Sequence, residues 1–122
     1  MTAGDPDRSA QTVVVDLGRA APTRGQGAVW SLPHGGDLDA NLVRLDPGGT
    51  IDEHVNDDVD VLMFVQSGSG RLTVDGQAHA LRSDVLALIP RGARRQVTAG
   101  PTGMFHLSVH RRRGPMTVSR RS

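Results

Sequence analysis

Residues 47–68 read Pro47-Gly48-Gly49-Thr50-Ile51-Asp52-Glu53-His54-Val55-Asn56-Asp57-Asp58-Val59-Asp60-Val61-Leu62-Met63-Phe64-Val65-Gln66-Ser67-Gly68. A Pro-Gly-Gly turn opens the stretch, because proline presets φ and glycine accepts the turn's positive φ. Thr50–His54 then reads as a strand, and a polar connection at Asn56-Asp57-Asp58 leads into a second one. In Val59–Gln66 the residues Val59, Val61, Met63 and Val65 share one face by the period of two. Leu62 and Phe64 make the other face apolar as well. Apolar residues on both faces predict a strand covered on both sides, by a second sheet or a partner subunit.

Working outward, the same rhythm continues. Further strands are predicted at Thr12–Leu17, Ala28–Leu32, Asp39–Leu45, Arg71–Val74, His79–Leu81, Val85–Ile89, Arg94–Thr98 and Met104–Val109, with a short one at Met116–Val118. Turn signals separate them: Asp46-Pro47-Gly48-Gly49, Ser67-Gly68-Ser69-Gly70, Asp75-Gly76-Gln77 and Gly100-Pro101. Alternation places Asn41, Val43 and Leu45 inward on their strand. It also places Phe105, Leu107 and Val109 inward on the last long strand, leaving His106, Ser108 and His110 outward. No stretch sustains a helical apolar pattern, so many short strands predict an all-β sandwich or barrel.

The chain has 122 residues, one domain's worth. Residues 1–11 read as a disordered N-terminus, 12–119 as the single barrel and 120–122 as a tail. With no cysteine, disulfides and thiolate metal sites are excluded, and a reducing cytoplasm is the expected location. No segment reads as a signal peptide, and the longest apolar run, Val85 to Pro90, is far short of a membrane helix, which takes ~20 residues. All fourteen basic residues are arginine, against twelve aspartates and one glutamate, Glu53. That near balance leaves no overall field favouring nucleic acid, and the arginines near residues 111–113 and 120–121 read as a solvated end.

Two segments together resemble the cupin family. Its first motif runs Gly, five residues, His-x-His, three or four residues, Glu, six residues, Gly; its second runs Gly, five residues, Pro-x-Gly, two residues, His, three residues, Asn. Pro47-Gly48, His54 and Val65-Gln66-Ser67-Gly68 match the first motif. Pro90-Arg91-Gly92 matches the second, and the hairpin Leu72-Thr73-Val74-Asp75-Gly76 falls between them. The resemblance covers roughly residues 28–110 and implies an all-β, RmlC-like jelly roll, the double-stranded β-helix. It also implies pairing into homodimers through one sheet, for which Leu62 and Phe64 suit the face away from the barrel interior.

The positions that hold a metal in the family differ here. Of the expected ligands only His54 is retained; Asn56 stands for the second histidine, Asp60 or Val61 for the glutamate, Arg95 for the final histidine and Ala99 for the asparagine. Arginine offers no lone pair and carries a charge that repels a cation. Pairing about Gly100-Pro101 would set Arg95 opposite His106, making His106 or His110 a replacement ligand, but the alternation argues against it. His34 and His79 lie near loops.

The expectation is therefore a barrel without a transition metal and with no cofactor, binding a small molecule, which Arg95 would allow to be anionic. Its ligand-binding candidates are His54, Asn56, Asp60, Arg95 and Asn41, with Asp60 as an alternative partner for Arg95. Two other readings stay open. One is a cupin enzyme of isomerase, epimerase, oxygenase or lyase type using His54, as a base or as ligand to a divalent metal. The other is a ligand-sensing or interaction module. Neither membrane nor nucleic acid is an expected partner.

Overall fold

Most of the turn residues become corners between strands, of which there are seven among the described residues. The structure, a computed structural model, describes residues 12–22, 25–33 and 36–112. The strands are β1 (Gly27–Ser31), β2 (Leu38–Leu45), β3 (Thr50–Val55), β4 (Val61–Val74), β5 (Gln77–Arg82), β6 (Leu86–Ile89) and β7 (Arg94–Arg111). All ladders are antiparallel. The order is β1-β2-β7-β4-β5, with β3 also on β7 and β6 also on β4. This is the jelly-roll barrel the sequence predicts. At Asp75-Gly76 both residues have positive φ, 48° and 85°. A two-residue type I′ hairpin loop requires that geometry, and Val74 pairs directly with Gln77 across it.

Two expected turns are not turns. Ser67-Gly68-Ser69-Gly70 lies within the 14 residues of β4, and Gly100-Pro101 within the 18 residues of β7. Each long strand bends and carries on. The first part of β7 pairs with β3 and the far part of β4; the second part pairs with β2 and the near part of β4. Glycine serves the bend by allowing close approach as well as positive φ. Gly68 has φ 84°, and a Cβ there would lie 2.1 Å from the carbonyl oxygen of Gly103, an overlap no side chain tolerates. The β4–β7 register shifts at this point, between Val65 and Ser67 and between Gly68 and Gly70, as a bulge requires.

The bends change which residues face the core. On β7 the buried set is Arg95, Val97 and Ala99 before the bend, then Met104 and His106 after it. On β4 it is Met63 and Val65 before, then Leu72 after. The inward parity thus switches once on each strand. The apolar alternation of the last strand puts Phe105, Leu107 and Val109 inside and His106 outside. The structure reverses that: His106 is 4% exposed, directly opposite the fully buried Val65. Phe105 instead lies under the Arg44 guanidinium, 5.7 Å from ring centroid to carbon, and Leu107 is paired with Phe64 on the outer face.

Leu45, Met63, Val65, Leu72, Val97 and Met104 form the centre of the core, with Val43 packed against it. Leu42, also fully buried, is paired with Trp30 and Leu107 on the opposite face. The expected strand Thr12–Leu17 is absent. Asp16 instead caps a four-residue helix, α1 (Leu17–Ala20), its carboxylate accepting from the N–H groups of Gly18 and Arg19. An N-cap aspartate competes with extended structure in this way. The expected strand Met116–Val118 and the N-terminal residues 1–11 lie outside the described residues.

Candidate functional site

Four of the five candidate residues meet at one mouth of the barrel, where the connection from β3 to β4 touches the turn from β6 to β7. His54 pairs with Arg95 across the β3–β7 ladder, after a one-residue bulge following Ile51. The Asn56 carbonyl accepts from the N–H of Gly92 at 2.7 Å. The Asp60 carboxylate accepts from the N–H of Arg91 at 2.8 Å. Asn41 stands elsewhere, paired with Ser108 on the β2–β7 ladder.

Each of these side chains makes contact with its own surroundings. The Asn56 side-chain oxygen accepts from the N–H groups of Asp58 and Val59 at 2.9 and 3.3 Å, an Asx turn that sets the buried Val59 into the mouth. His54 is exposed, and its Nδ1 lies 2.9 Å from the Asp52 carbonyl. A carbonyl only accepts, so Nδ1 is the protonated nitrogen. Asn41 accepts from the Ser31 hydroxyl at 2.6 Å.

Arg95 is buried, and its partner is not Asp60. Its Nε donates to the Ala93 carbonyl at 3.0 Å and its Nη2 to the Pro90 carbonyl at 3.1 Å. The guanidinium thus clamps the Pro90-Arg91-Gly92 turn. Burial lowers its pKa by desolvation, opposed by the carboxylate of Asp75. Arg44–Asp46 and Arg94–Glu53 form side-chain ion pairs, and neither involves Arg95.

A transition metal does not fit this arrangement. Among the described residues no three His, Cys, Asp or Glu side chains come together as a metal-holding group. Where a third nitrogen ligand would project, a cation is already buried. The departures from the family motif are thus matched by the geometry of the donor set, and no step through a metal follows.

His106 is the residue that sequence reasoning set aside. It lies between Val43 and Val65 on neighbouring strands. Its Nδ1 is buried with no hydrogen-bond partner among the described residues. Desolvation lowers its pKa from 6.5 to about 4, so the ring is neutral at pH 7. The signal that would have found it is the bend: once Gly103 is given a positive φ, Met104 and His106 share the inward face.

With the fold and the mouth described, the comparisons carry the classification. The model of the cupin domain matches residues 41–109, more than half of the chain. The protein belongs to the cupin family. Its barrel is similar to that of a Bacillus halodurans protein at 19% identity and a TM-score of 0.74, covering 91% of this chain and 87% of the other. It is also similar to an uncharacterised Klebsiella pneumoniae protein with a double-stranded β-helix domain, at 18% identity and a TM-score of 0.72, covering 85% and 93%. A Bacteroides fragilis cupin protein aligns at 17% identity and a TM-score of 0.64, covering 94% and 97%. Identities this low speak for the fold alone. No curated protein matches the sequence. Among the described residues, no helix of this cupin is long and apolar enough to cross a membrane.

The buried imidazole makes stability depend on pH. The unfolded chain protonates His106 below pH 6.5, while the folded chain keeps it neutral down to about pH 4. In that window the unfolded state binds more protons, so stability falls as pH falls and the loss levels off below about 4. The full shift corresponds to about 3 kcal/mol. Urea unfolding between pH 7.5 and 4 is expected to show this loss in the wild type and a correspondingly shallower one in His106→Leu. Equal pH slopes in the two would contradict it.

Proposed function

We propose that this cupin is a binding module that holds a small molecule in its barrel without a transition metal. The observation that carries the reading is the convergence of His54, Asn56, Asp60 and Arg95 at one mouth, with a buried arginine where a metal-binding barrel needs a neutral donor. Asn41, on the inner wall, completes the proposed contact set. His54 supplies the group best suited to meet a ligand there: it is exposed, and with Nδ1 donating to a carbonyl its Nε2 presents a lone pair. Asp60 and Asn56 shape the mouth through their hydrogen bonds to the facing backbone.

The experiment is elemental analysis of protein purified without chelator. Far less than one transition-metal ion per chain is the expected result. One ion per chain, lost in a His54→Ala variant, would replace this reading with a metal-dependent one.

A second reading concerns assembly. Leu62, Phe64, Leu86 and Leu88 are exposed on the outer face of β4 and β6, at 39%, 37%, 59% and 63%. Register places Leu86 opposite Phe64 and Leu88 opposite Leu62, so the four side chains form one patch. Contiguous apolar surface of this kind is the usual mark of an interface, and a second copy meeting face to face would cover it with a self-complementary contact. Light scattering after size-exclusion chromatography is expected to give twice the monomer mass for wild type and the monomer mass for Leu62→Asp/Phe64→Asp. A monomeric wild type would remove the dimer.

A further inference from the structure

The barrel also opens on its side, between β5 and β6. Both strands pair with β4 on the edge away from β7, β6 with its near part and β5 with its far part. The bend in β4 folds these two parts toward each other, so the outer edges of β5 and β6 become the lips of a cleft. Among the described residues neither edge pairs with a further strand. The cleft has a volume of about 620 Å³, within the roughly 300–1,000 Å³ of small-molecule sites. Its floor is Leu72 and Leu81 of the core, and Val74 and Ala87 form its walls. None of the mouth residues lines it, so it stands apart from the site at the mouth.

Within the cleft no charged side chain appears, and His79 is the single polar residue of its lining. Such walls gain from an apolar body that takes them out of water. Charge stands at the lip instead. Ala78 and Ala80 line the cleft from β5 and are exposed. Arg71 lies directly opposite Ala80, and Arg82 follows two residues along the same face, opposite Ser69. Beside residues as small as alanine, arginine stems can lie along the strand and carry their guanidinium groups to its edge. Both arginines are exposed, and neither is held in an ion pair among the described residues. Asp84, in the turn after β5, is one acid against these two cations. We propose that the cleft binds a free single-chain amphiphile with an anionic head. Its alkyl chain rests on Leu72, Leu81, Val74 and Ala87, and its carboxylate meets Arg71 and Arg82, whose planar donors match a carboxylate in bidentate fashion.

Other occupants suit the cleft less well. A bilayer surface is broad, whereas this opening is narrow and ends on core residues. A second copy of the chain has a flatter place to meet, the outer patch of Leu62 and Phe64, to which the lip residues Leu86 and Leu88 also belong. A cationic amphiphile would bring its charge to two arginines. An anionic one places opposite charges together at the exposed rim and keeps its chain in the dry part, so no ion has to be buried.

The test titrates the full chain, 13C-labelled at its Leu, Val and Ala methyl groups, with decanoate and with decyltrimethylammonium, both below micelle formation. Decanoate is expected to move the methyl resonances of Leu72, Val74, Leu81 and Ala87 saturably and to leave the His54 ring unmoved. Decyltrimethylammonium should bind at least tenfold more weakly. Octanoate, two methylenes shorter, should bind roughly fifteenfold more weakly than decanoate, at ~0.8 kcal/mol for each methylene. The double variant Arg71→Ala/Arg82→Ala should lose at least tenfold in decanoate affinity and none for the cation. Equal affinity for the two head groups, shifts confined to the mouth, or no saturable response to decanoate would each overturn the site. So would cleft methyls that move on concentrating the protein alone, since a second copy would then fill the cleft. Binding to phosphatidylcholine–phosphatidylglycerol vesicles without any response to decanoate would assign the arginines to a membrane surface and overturn it as well. The wild-type comparison of the two head groups decides the matter even if the double variant does not fold.

Discussion

The Arg95 guanidinium grips the carbonyls of Pro90 and Ala93, and the mouth of the barrel is organised around that contact. It holds the turn between β6 and β7 in a shape that presents the N–H groups of Arg91 and Gly92 to Asp60 and Asn56. The connection from β3 to β4 is thereby tied to the turn opposite it, and Val59 is drawn in beneath. In a metal-binding barrel, a cation would join strands at such a place through donors converging from several of them. Here a cation that belongs to the chain does the joining, through backbone oxygens. Removing it would take the charge-assisted donor from the Ala93 and Pro90 carbonyls, the latter keeping only the N–H of Ala93.

Behind the mouth, two long bent strands divide the work. β4 and β7 each serve both halves of the barrel, and each exchanges its inward parity at a bend where glycine allows backbones to touch. The exchange puts His106 on the inward face and sends Phe64 and Leu107 outward. One structural device thus sets both the buried His106 inside the barrel and the apolar patch outside it.

Much of the fold was legible in the sequence. Pro47-Gly48, Asp75-Gly76 and Pro90-x-Gly92 are positions where φ is dictated locally, and β1, β2, β3, β5 and β6 follow with ends displaced by a residue or two. The two misread turns have one physical source in Gly68 and Gly100–Gly103. Glycine signals positive φ or close approach, and a turn and a bulge look alike until the partner strand is known. The inward face of β7 was illegible for the same reason, compounded because Phe105, Leu107 and Val109 are apolar enough to pass for a core. Thr12–Leu17 has β-favouring valines but pairs with no strand, and Asp16 takes the backbone into a helix instead. At the site, the loss of metal ligands was readable residue by residue. The partner of Arg95 was not, because backbone carbonyls leave no mark in a sequence and the nearby Asp60 does.

The stability of Arg95 variants tests the central claim most directly. If the guanidinium is the tie that replaces a metal, Arg95→Met should lose about 2–4 kcal/mol in urea unfolding, since two carbonyls lose charge-assisted donors. Arg95→Lys should recover little of it, because an ammonium cannot reproduce the fork. An Arg95→Met protein as stable as wild type would contradict the account.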